Sequence, residues 1–580
     1  EEYSLMCGIS GFFSQSNMSK ERMTKLRDGI RERGTDNFGE SLNFDPHMVQ
    51  SAFYHARLSI IDVGPTSNQP YGKKGYRQKL VYNGEVYNFR ELREELKARF
   101  DVKFETEGDT EVVYEGLRCM GKDFISMISG EFAFCFYDYN SSCLLLARDS
   151  FGKKPLSFMS KEDSFLFSSS EKSLGDLTFG LSQFNSFCAI GYIPERMPLF
   201  PDVTVLDPGC IVEVDLRSLH VEVSQFKVNI PFHNTVRRSV TDSVRSQMTA
   251  DVPVGVFLSG GFDSTLVASI AAQTSPELYA FSFISDDHHS EELLIDGWLK
   301  EKGIGFKVNK LSSADINVPD ELMTVLPKLY RPTADSSIVP TNALTRLAHD
   351  NGVKVVLSGL GGDEMFCGYN RYVKRRLISK FDFSFLRGAS IFFKNFPVYR
   401  LSNRDLDLAV SAFIETTQFK NLSSGDKIRV CSELAVFLRK DASETSLKNM
   451  MNSDLNNYTV DLLHRQYDVI SLLHDVEIRS PLLDMGIHKS VSNIPDAHLI
   501  AGGRLKNLQK DVFRSCFTSQ QLSAKKQGFS GPINDWVGKH KDFFDFHSSH
   551  GYINDNFGVK PLTVKDKWVY SCVNIWLSQF

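Results

Sequence analysis

Residues 257–265 read FLSGGFDST. The apolar run VPVGVFL (252–258) leads in, and the helical pattern LVASIAAQ (266–273) leads out. A strand, a glycine turn and a helix start, in that order, make an oxyanion site. Glycines let the backbone approach closely, and the helix N-terminus offers free N–H groups and partial positive charge. Ser259, Ser264 and Thr265 add hydroxyls, and Asp263 can hold a magnesium ion on phosphate. The pattern G-x-x-x-x-G-K-[ST] is absent, so ordinary P-loop kinase or GTPase chemistry is not indicated. A structural turn with a good N-cap is the alternative for this stretch alone.

A second turn, LSGLGGDEMFCGY (357–369), repeats the construction from Ser358 to Asp363. LYAFSFIS (278–285) reads as a further buried strand between the two. Strands alternating with helices imply a parallel, doubly wound sheet, with ligands at the carboxyl ends of its strands. Asp263 and Asp363 would then bring two carboxylates to one metal–pyrophosphate. The rest of the chain to 580 is mostly helical in pattern.

The first half has a different grammar. CGISGFF (7–13), SAFYHARLSIIDV (51–63), KLVYNGEVYN (79–88), GEFAFCFYD (130–138) and SCLLLARD (142–149) are short apolar or aromatic runs broken by turn residues. Helical spacing appears in MTKLRDGIRERG (23–34) and FRELREELKARF (89–100). The expectation is a two-domain protein. An N-terminal α+β layered sandwich spans 7–205, a linker 206–234, and a C-terminal α/β doubly wound parallel sheet with helical additions 235–580.

Bulk properties agree. A chain of 580 residues is long for one core. Hydrophobic residues at 42% and charged residues at 24% suit a soluble globular protein, and a net charge of −5 argues against nucleic acid or a membrane surface as main partner. Ten cysteines without a C-x-x-C pair indicate neither a zinc ribbon nor a disulfide framework, which fits a reducing cytoplasm. No apolar run reaches the roughly 18 residues that span a bilayer.

The start, EEYSLMCGIS, places Cys7 directly after a Met. If Glu1–Leu5 are a remnant and Met6 is the start, trimming Met6 exposes Cys7 as the terminal residue; the bland alternative is a buried cysteine. From this stretch alone the buried cysteine is favoured, and the C-terminal motifs bear on the choice. SGGFDST, SGLGGDEMFCGY, EIRSPLLD (477–484) and KKQGFSGPINDW (525–536), in that order, resemble the synthetase domain of glutamine-hydrolysing asparagine synthetases, whose turn SGGFDST belongs to the ATP-pyrophosphatase type. MCGISGFF, RERGTDNFG, ARLSIID, YNGEVYNFREL, TEGDTEVV, SGEFAFCFYD and ARDSFGKKPL resemble that family's N-terminal-nucleophile glutaminase domain, with Thr35 where the family has proline.

The resemblance implies roles. Cys7 is the nucleophile, and its own terminal amine, with a pKa near ~8, is the base that a buried thiol lacks. Asn83 and Gly84 form the oxyanion hole, Arg57 clamps the glutamine α-carboxylate, and Glu85 and Asp109 receive its α-ammonium. In the second half Ser259, Gly260, Gly261, Asp263 and Ser264 bind pyrophosphate, and Ser358 and Gly359 line the nucleotide. The backbone of Leu258 and Phe283 meets adenine, Asp263 and Asp363 hold Mg2+, and Lys526 neutralises phosphate charge. Individually, Asn83-Gly84 reads equally well as a hairpin turn, Arg57 as a surface ion pair and Asp109 as a helix cap. The implied cosubstrates are glutamine, ATP and a carboxylate, and a homodimer is allowed for.

Two departures bear on that carboxylate. Leu360 stands where aspartate-specific relatives carry glutamate, in S-G-E-G, and Tyr330-Arg331-Pro332 replaces an acidic D-E-P. The expected reaction is amidation of aspartate to asparagine with release of AMP and pyrophosphate. The alternatives are another acceptor, such as a uronic acid of a polysaccharide precursor, and a non-catalytic glutamine- or nucleotide-binding regulator.

Overall fold

The computed structural model describes residues 7–31, 33–34, 36–43, 50–229, 235–275, 278–285, 289–373, 434, 436–437, 446–524 and 531–580. Its first half contains strands β1 (Gly8–Ser14), β2 (Asn37–Asn43), β3 (Gln50–Arg57), β4 (Gln78–Val86), β5 (Gly130–Asp138), β6 (Cys143–Arg148), β7 (Ser157–Ser160), β8 (Ser164–Ser168), β9 (Thr204–Val205), β10 (Cys210–Asp215) and β11 (His220–Gln225). They form two antiparallel sheets, ordered β2-β3-β1-β8-β7-β9 and β11-β10-β6-β5-β4.

Side-chain alternation explains the layering. Ile9, Phe13, Phe53 and Phe167 of the first sheet meet Val81, Cys135, Tyr137 and Val212 of the second, with Phe13 edge-on to Tyr137 at 4.7 Å. The opposite faces take helices. Phe12 and Tyr54 pack on Leu26 and Ile30 of the helix Lys20–Arg31. Leu80, Tyr82 and Phe134 pack on Leu92, Leu96, Val113 and Leu117 of the helices Phe89–Phe100 and Asp109–Met120. The result is a helix–sheet–sheet–helix sandwich, as the α+β layered expectation required.

The stretch expected as linker is corrected in its first two thirds. β10 pairs with β6 and β11 with β10, extending the second sheet. Ile211, Val212 and Val214 are buried there, and the alternation of apolar and charged residues is that of a strand with one face on the core.

The second half holds β12 (Val254–Phe257), β13 (Tyr279–Ile284), β14 (Lys307–Ser312), β15 (Val355–Leu357) and β16 (Glu477–Arg479). All pairs are parallel and the order is β14-β13-β12-β15-β16. The chain moves outward from β12 to β14 and then returns to the other side of β12. That makes the β12–β15 junction the switch point where such sheets open a crevice. Among the described residues no helix is long and apolar enough to cross a membrane.

One core crosses the boundary between halves. Phe179, Phe184 and Phe200 pack with Val325, Leu329 and Trp576, whose helix Val564–Leu577 closes over them. Beside this core lies a buried ionic chain. Arg148 forks onto Glu195 at 3.0 Å, Arg465 bridges Glu195 and Glu171 at 2.8 Å each, and Arg331 meets Glu171 at 2.7 Å. Removing one member of such a chain strands its partner, at about 3–5 kcal/mol.

Candidate active sites

Cys7 stands immediately before β1, half-buried, with its Sγ 3.4 Å from the Leu58 carbonyl and 3.3 Å from the Leu58 N–H. Arg33 fixes its backbone. The Arg33 Nε donates to the Cys7 carbonyl at 3.1 Å, and its other two nitrogens fork onto Asp468 of the second half at 2.9 and 3.0 Å. Burial, partly offset by the Leu58 contact and Arg57, pushes the thiol up to about 11. Within an unbroken chain this sulfur is therefore protonated at neutral pH.

A cleft opens at Cys7, walled by Arg57, Leu58, Ile60, Gln69, Tyr82, Asn83, Gly84, Glu85, Asp109, Thr110 and Glu477. All five residues assigned to glutamine by resemblance meet here. Asn83 and Gly84 lie inside β4, paired with Ala133 and Phe132, and not in a hairpin turn. Gly84 has φ of +147°, and a Cβ there would lie 2.0 Å from the Glu131 carbonyl, so the strand tolerates only glycine. Asn83 Nδ2 and Glu85 Oε2 are buried with no hydrogen-bond partner. An unpartnered buried donor facing a cleft costs about 1–3 kcal/mol unless something fills it.

Asp109 follows the cap residue Gly108 and accepts from Tyr82 Oη at 2.8 Å and Val86 N at 3.0 Å. Burial raises its pKa, and that of Glu85 further, Asp109 repelling the second charge. Arg57 is not a surface ion pair. Its guanidinium holds the loop after β3, donating to Asp62 O at 2.6 Å, Gly64 O at 2.8 Å and Asn68 Oδ1 at 2.9 Å. Those bonds occupy the fork that the resemblance offers to a carboxylate.

The glycine turns meet at the switch point. Gly260 and Gly261 follow β12, and the helix Phe262–Thr274 starts with no side-chain cap on its N–H groups. Ser259 and Ser264 hold the turn shut through Oγ–Oγ contact at 3.0 Å. Leu258 N bonds Phe281 O at 2.9 Å, and Leu258 and Phe283 are both buried at the carboxyl ends of β12 and β13. From β15, the second turn presses its glycines on the first: a Cβ on Gly362 would lie 2.2 Å from Asp263 Oδ1, and one on Gly359 2.8 Å from Ser264 N. Ser358 donates through N and Oγ to Arg479 O at 2.8 and 3.1 Å.

Asp263 and Asp363 converge on one ammonium. Lys506 Nζ bonds Asp263 Oδ2 and lies 2.6 Å from Asp363 Oδ1, and Gln509 donates to Asp263 Oδ1 at 2.9 Å. Although burial opposes charge, the two carboxylates push the Lys506 pKa up to about 12. Lys506 had no sequence signal beyond being a lysine in GGRLKNLQ; only the fold brings it here. The expected Lys526 lies outside the described residues.

Leu360 packs against the apolar cluster that holds Ile190, Tyr192, Leu462 and Leu463, a setting that suits leucine and not a carboxylate. Tyr330 and Arg331 turn away from the crevice: Tyr330 receives a hydrogen bond from Arg33, and Arg331 joins Glu171. Their departure from the acidic pattern serves the contact between halves.

Comparison with known proteins defines the class. Residues 235–551 match the asparagine synthase family and residues 6–226 a glutamine amidotransferase domain. The chain belongs to the asparagine synthase family and is a ligase of the glutamine-hydrolysing amidotransferase type. It is 28% identical over 568 residues to asparagine synthetase [glutamine-hydrolyzing] 1 of Bacillus subtilis (strain 168), covering 92% of this chain and 88% of that protein. A putative asparagine synthetase [glutamine-hydrolyzing] of Mycobacterium bovis is 28% identical with the same coverage. Amidase chry2 of Gibberella zeae is 24% identical, covering 92% and 90%.

Proposed function

We propose that this enzyme activates a carboxylate with ATP and amidates it with ammonia taken from glutamine. The observation that carries the reading is the convergence of Asp263 and Asp363, from two serine-glycine turns at adjacent strand ends, on one buried cation. In the first half, Cys7 at a freed terminus gives its proton to its own amine, and the thiolate attacks the carboxamide of glutamine. Asn83 Nδ2 and the Gly84 N–H meet the oxyanion, ammonia leaves, and water releases glutamate from the thioester. Glu85 and Asp109 take the α-ammonium, and Arg57 holds the loop that shapes the pocket while lending its charge to the α-carboxylate.

In the second half a carboxylate oxygen attacks the α-phosphorus of ATP, the α–β bridge breaks, and pyrophosphate leaves. Ammonia then attacks the acyl carbon and AMP departs. Ser259, Gly260, Gly261, Ser264 and the uncapped helix would cradle pyrophosphate, with Ser358 and Gly359 beside the nucleotide and Leu258 and Phe283 beside adenine. Asp263 and Asp363 are the residues that would hold Mg2+. Two converging carboxylates, with no third His, Cys, Asp or Glu grouped with them among the described residues, suit an ion that completes its shell with phosphate and water. When bound, the ion supplies neutralisation of pyrophosphate charge. Lys526 would add a further positive charge.

Aspartate is the first acceptor to try, given the names of the relatives. The apolar surroundings of Leu360 favour a second reading, in which the acceptor is a different acid such as a uronic acid. Pyrophosphate release with ATP, magnesium and ammonia against a panel of carboxylates separates them. Release with aspartate supports the first, release with sugar acids alone supports the second, and silence with every acid overturns both.

A further inference from the structure

β16 borders both sites. Along one edge it pairs with β15, and the Arg479 carbonyl at its end accepts from Ser358 of the nucleotide turn. Its alternate side chains, Glu477 and Arg479, project together toward the other half. Glu477 is part of the wall of the Cys7 cleft although it comes from the second domain. Arg479 is wholly buried, donating to Glu477 at 2.6 Å and to the carbonyls of Gln247 and Thr249 at 2.7 Å each. Its Nη2 stands 3.8 Å from Glu85 and has no hydrogen-bond partner. From the first half, Lys153 reaches back to the Ser480 carbonyl at 3.2 Å, and Lys154 lies 3.6 Å from Glu477.

We propose that Glu477 and Arg479 are positioning residues through which nucleotide on the Ser358 turn sets the geometry of the glutamine pocket. The inference rests on the reading of the two sites given above. Ser358 N and Oγ cannot serve a phosphate oxygen and the Arg479 carbonyl equally well. Nucleotide binding therefore loosens the end of β16, and Arg479 closes the gap to Glu85. The unpartnered Nη2 is the donor available for that move. Coupling of this kind is reciprocal and typically amounts to roughly 5–150-fold.

The test measures kcat/KM for glutamine hydrolysis with and without ATP and magnesium, on the full chain with Cys7 as first residue. The wild-type ratio is expected to be about fivefold or more, carried by KM for glutamine, and Glu477→Gln is expected to bring it to one. Lys153→Met, outside both sites, should lower the ratio while ammonia-driven pyrophosphate release persists; it answers the question if Glu477→Gln does not fold. A wild-type ratio of one, or an undiminished ratio in the variants, overturns the coupling. Ammonia-driven pyrophosphate release, assayed in parallel, separates that failure from a failure of the synthetase reading. No glutamate under either condition overturns the glutaminase reading and the coupling together.

Discussion

The cleft at Cys7 and the paired glycine turns wait for their ligands in opposite ways. In the cleft, Asn83 Nδ2 and Glu85 Oε2 are desolvated and unpaired, so the folded chain already bears the cost of exposing them to a ligand. At the turns, Asp263 is paired with Lys506 and Gln509, and Ser259 with Ser264. A ligand entering the cleft fills vacant bonds, about 1–3 kcal/mol per group. A ligand at the turns must exchange existing bonds for better ones, which a polyanion with its cation can do and a neutral molecule cannot. The first arrangement selects one amide geometry; the second selects charge.

The largest expected effect separates the sites completely. Cys7→Ala should abolish glutamine-driven amidation and leave ammonia-driven pyrophosphate release at its wild-type rate. Ionisation of the thiol sharpens this. In protein that retains Met6, a thiol at about 11 is more than about three pH units from half-ionised at neutrality, so glutamate release should be at least roughly a thousandfold lower and rise tenfold per pH unit. With Cys7 terminal, the rate should level off above pH ~8, where the amine is neutral. Glutamate release against pH, beside intact mass, checks both; equal profiles would refute the terminal amine as base. Next in size, Asp263→Asn should lower ammonia-driven pyrophosphate release by roughly a thousandfold, about 4 kcal/mol of charge stabilisation, and spare glutamine hydrolysis without nucleotide.

How much of this was legible in the sequence follows the same division. Strand–glycine–helix order fixed the parallel sheet, because each local signal there points the same way. Asn83-Gly84 could not be told from a hairpin turn, since the pairing of β4 with β5 that buries it involves residues about fifty positions away. The strand at 210–215 is hidden for the same reason, its partner being the distant β6, and β11 then pairs on β10 alone. Lys506 carries no sequence signal, and Glu477 belongs to the EIRSPLLD motif without its role being legible there: a lysine becomes the partner of two carboxylates, and a synthetase residue walls the glutaminase cleft, only after both halves fold. Arg331 was read as a comment on the acceptor, whereas its buried partner Glu171 ties it to the contact between halves.

Asn83→Ala probes the vacant-bond side. It removes the unpaired donor, so glutamine hydrolysis should fall by about a hundredfold, near 3 kcal/mol, mostly in kcat. Protein stability should hold or rise, because an unsatisfied buried donor is lost with it. Steady-state kinetics with thermal denaturation decides; a destabilised variant would show that Asn83 is a structural residue after all.

The smallest effect is the most diagnostic of the exchange side, because its sign is unusual. Gln509 donates a neutral hydrogen bond to Asp263 Oδ1, worth about 0.5–1.5 kcal/mol net. If Asp263 must give up internal partners to accept magnesium with the nucleotide, Gln509→Ala removes one competitor. The half-saturating magnesium concentration for ammonia-driven pyrophosphate release should then drop by a factor of about two to ten. Lys506 keeps the carboxylate in place, so kcat should change little. A rise in the magnesium requirement would mean that Gln509 holds Asp263 ready for the metal. The turns would then be preorganised like the cleft, and the contrast between the two sites would fail on its chemical side.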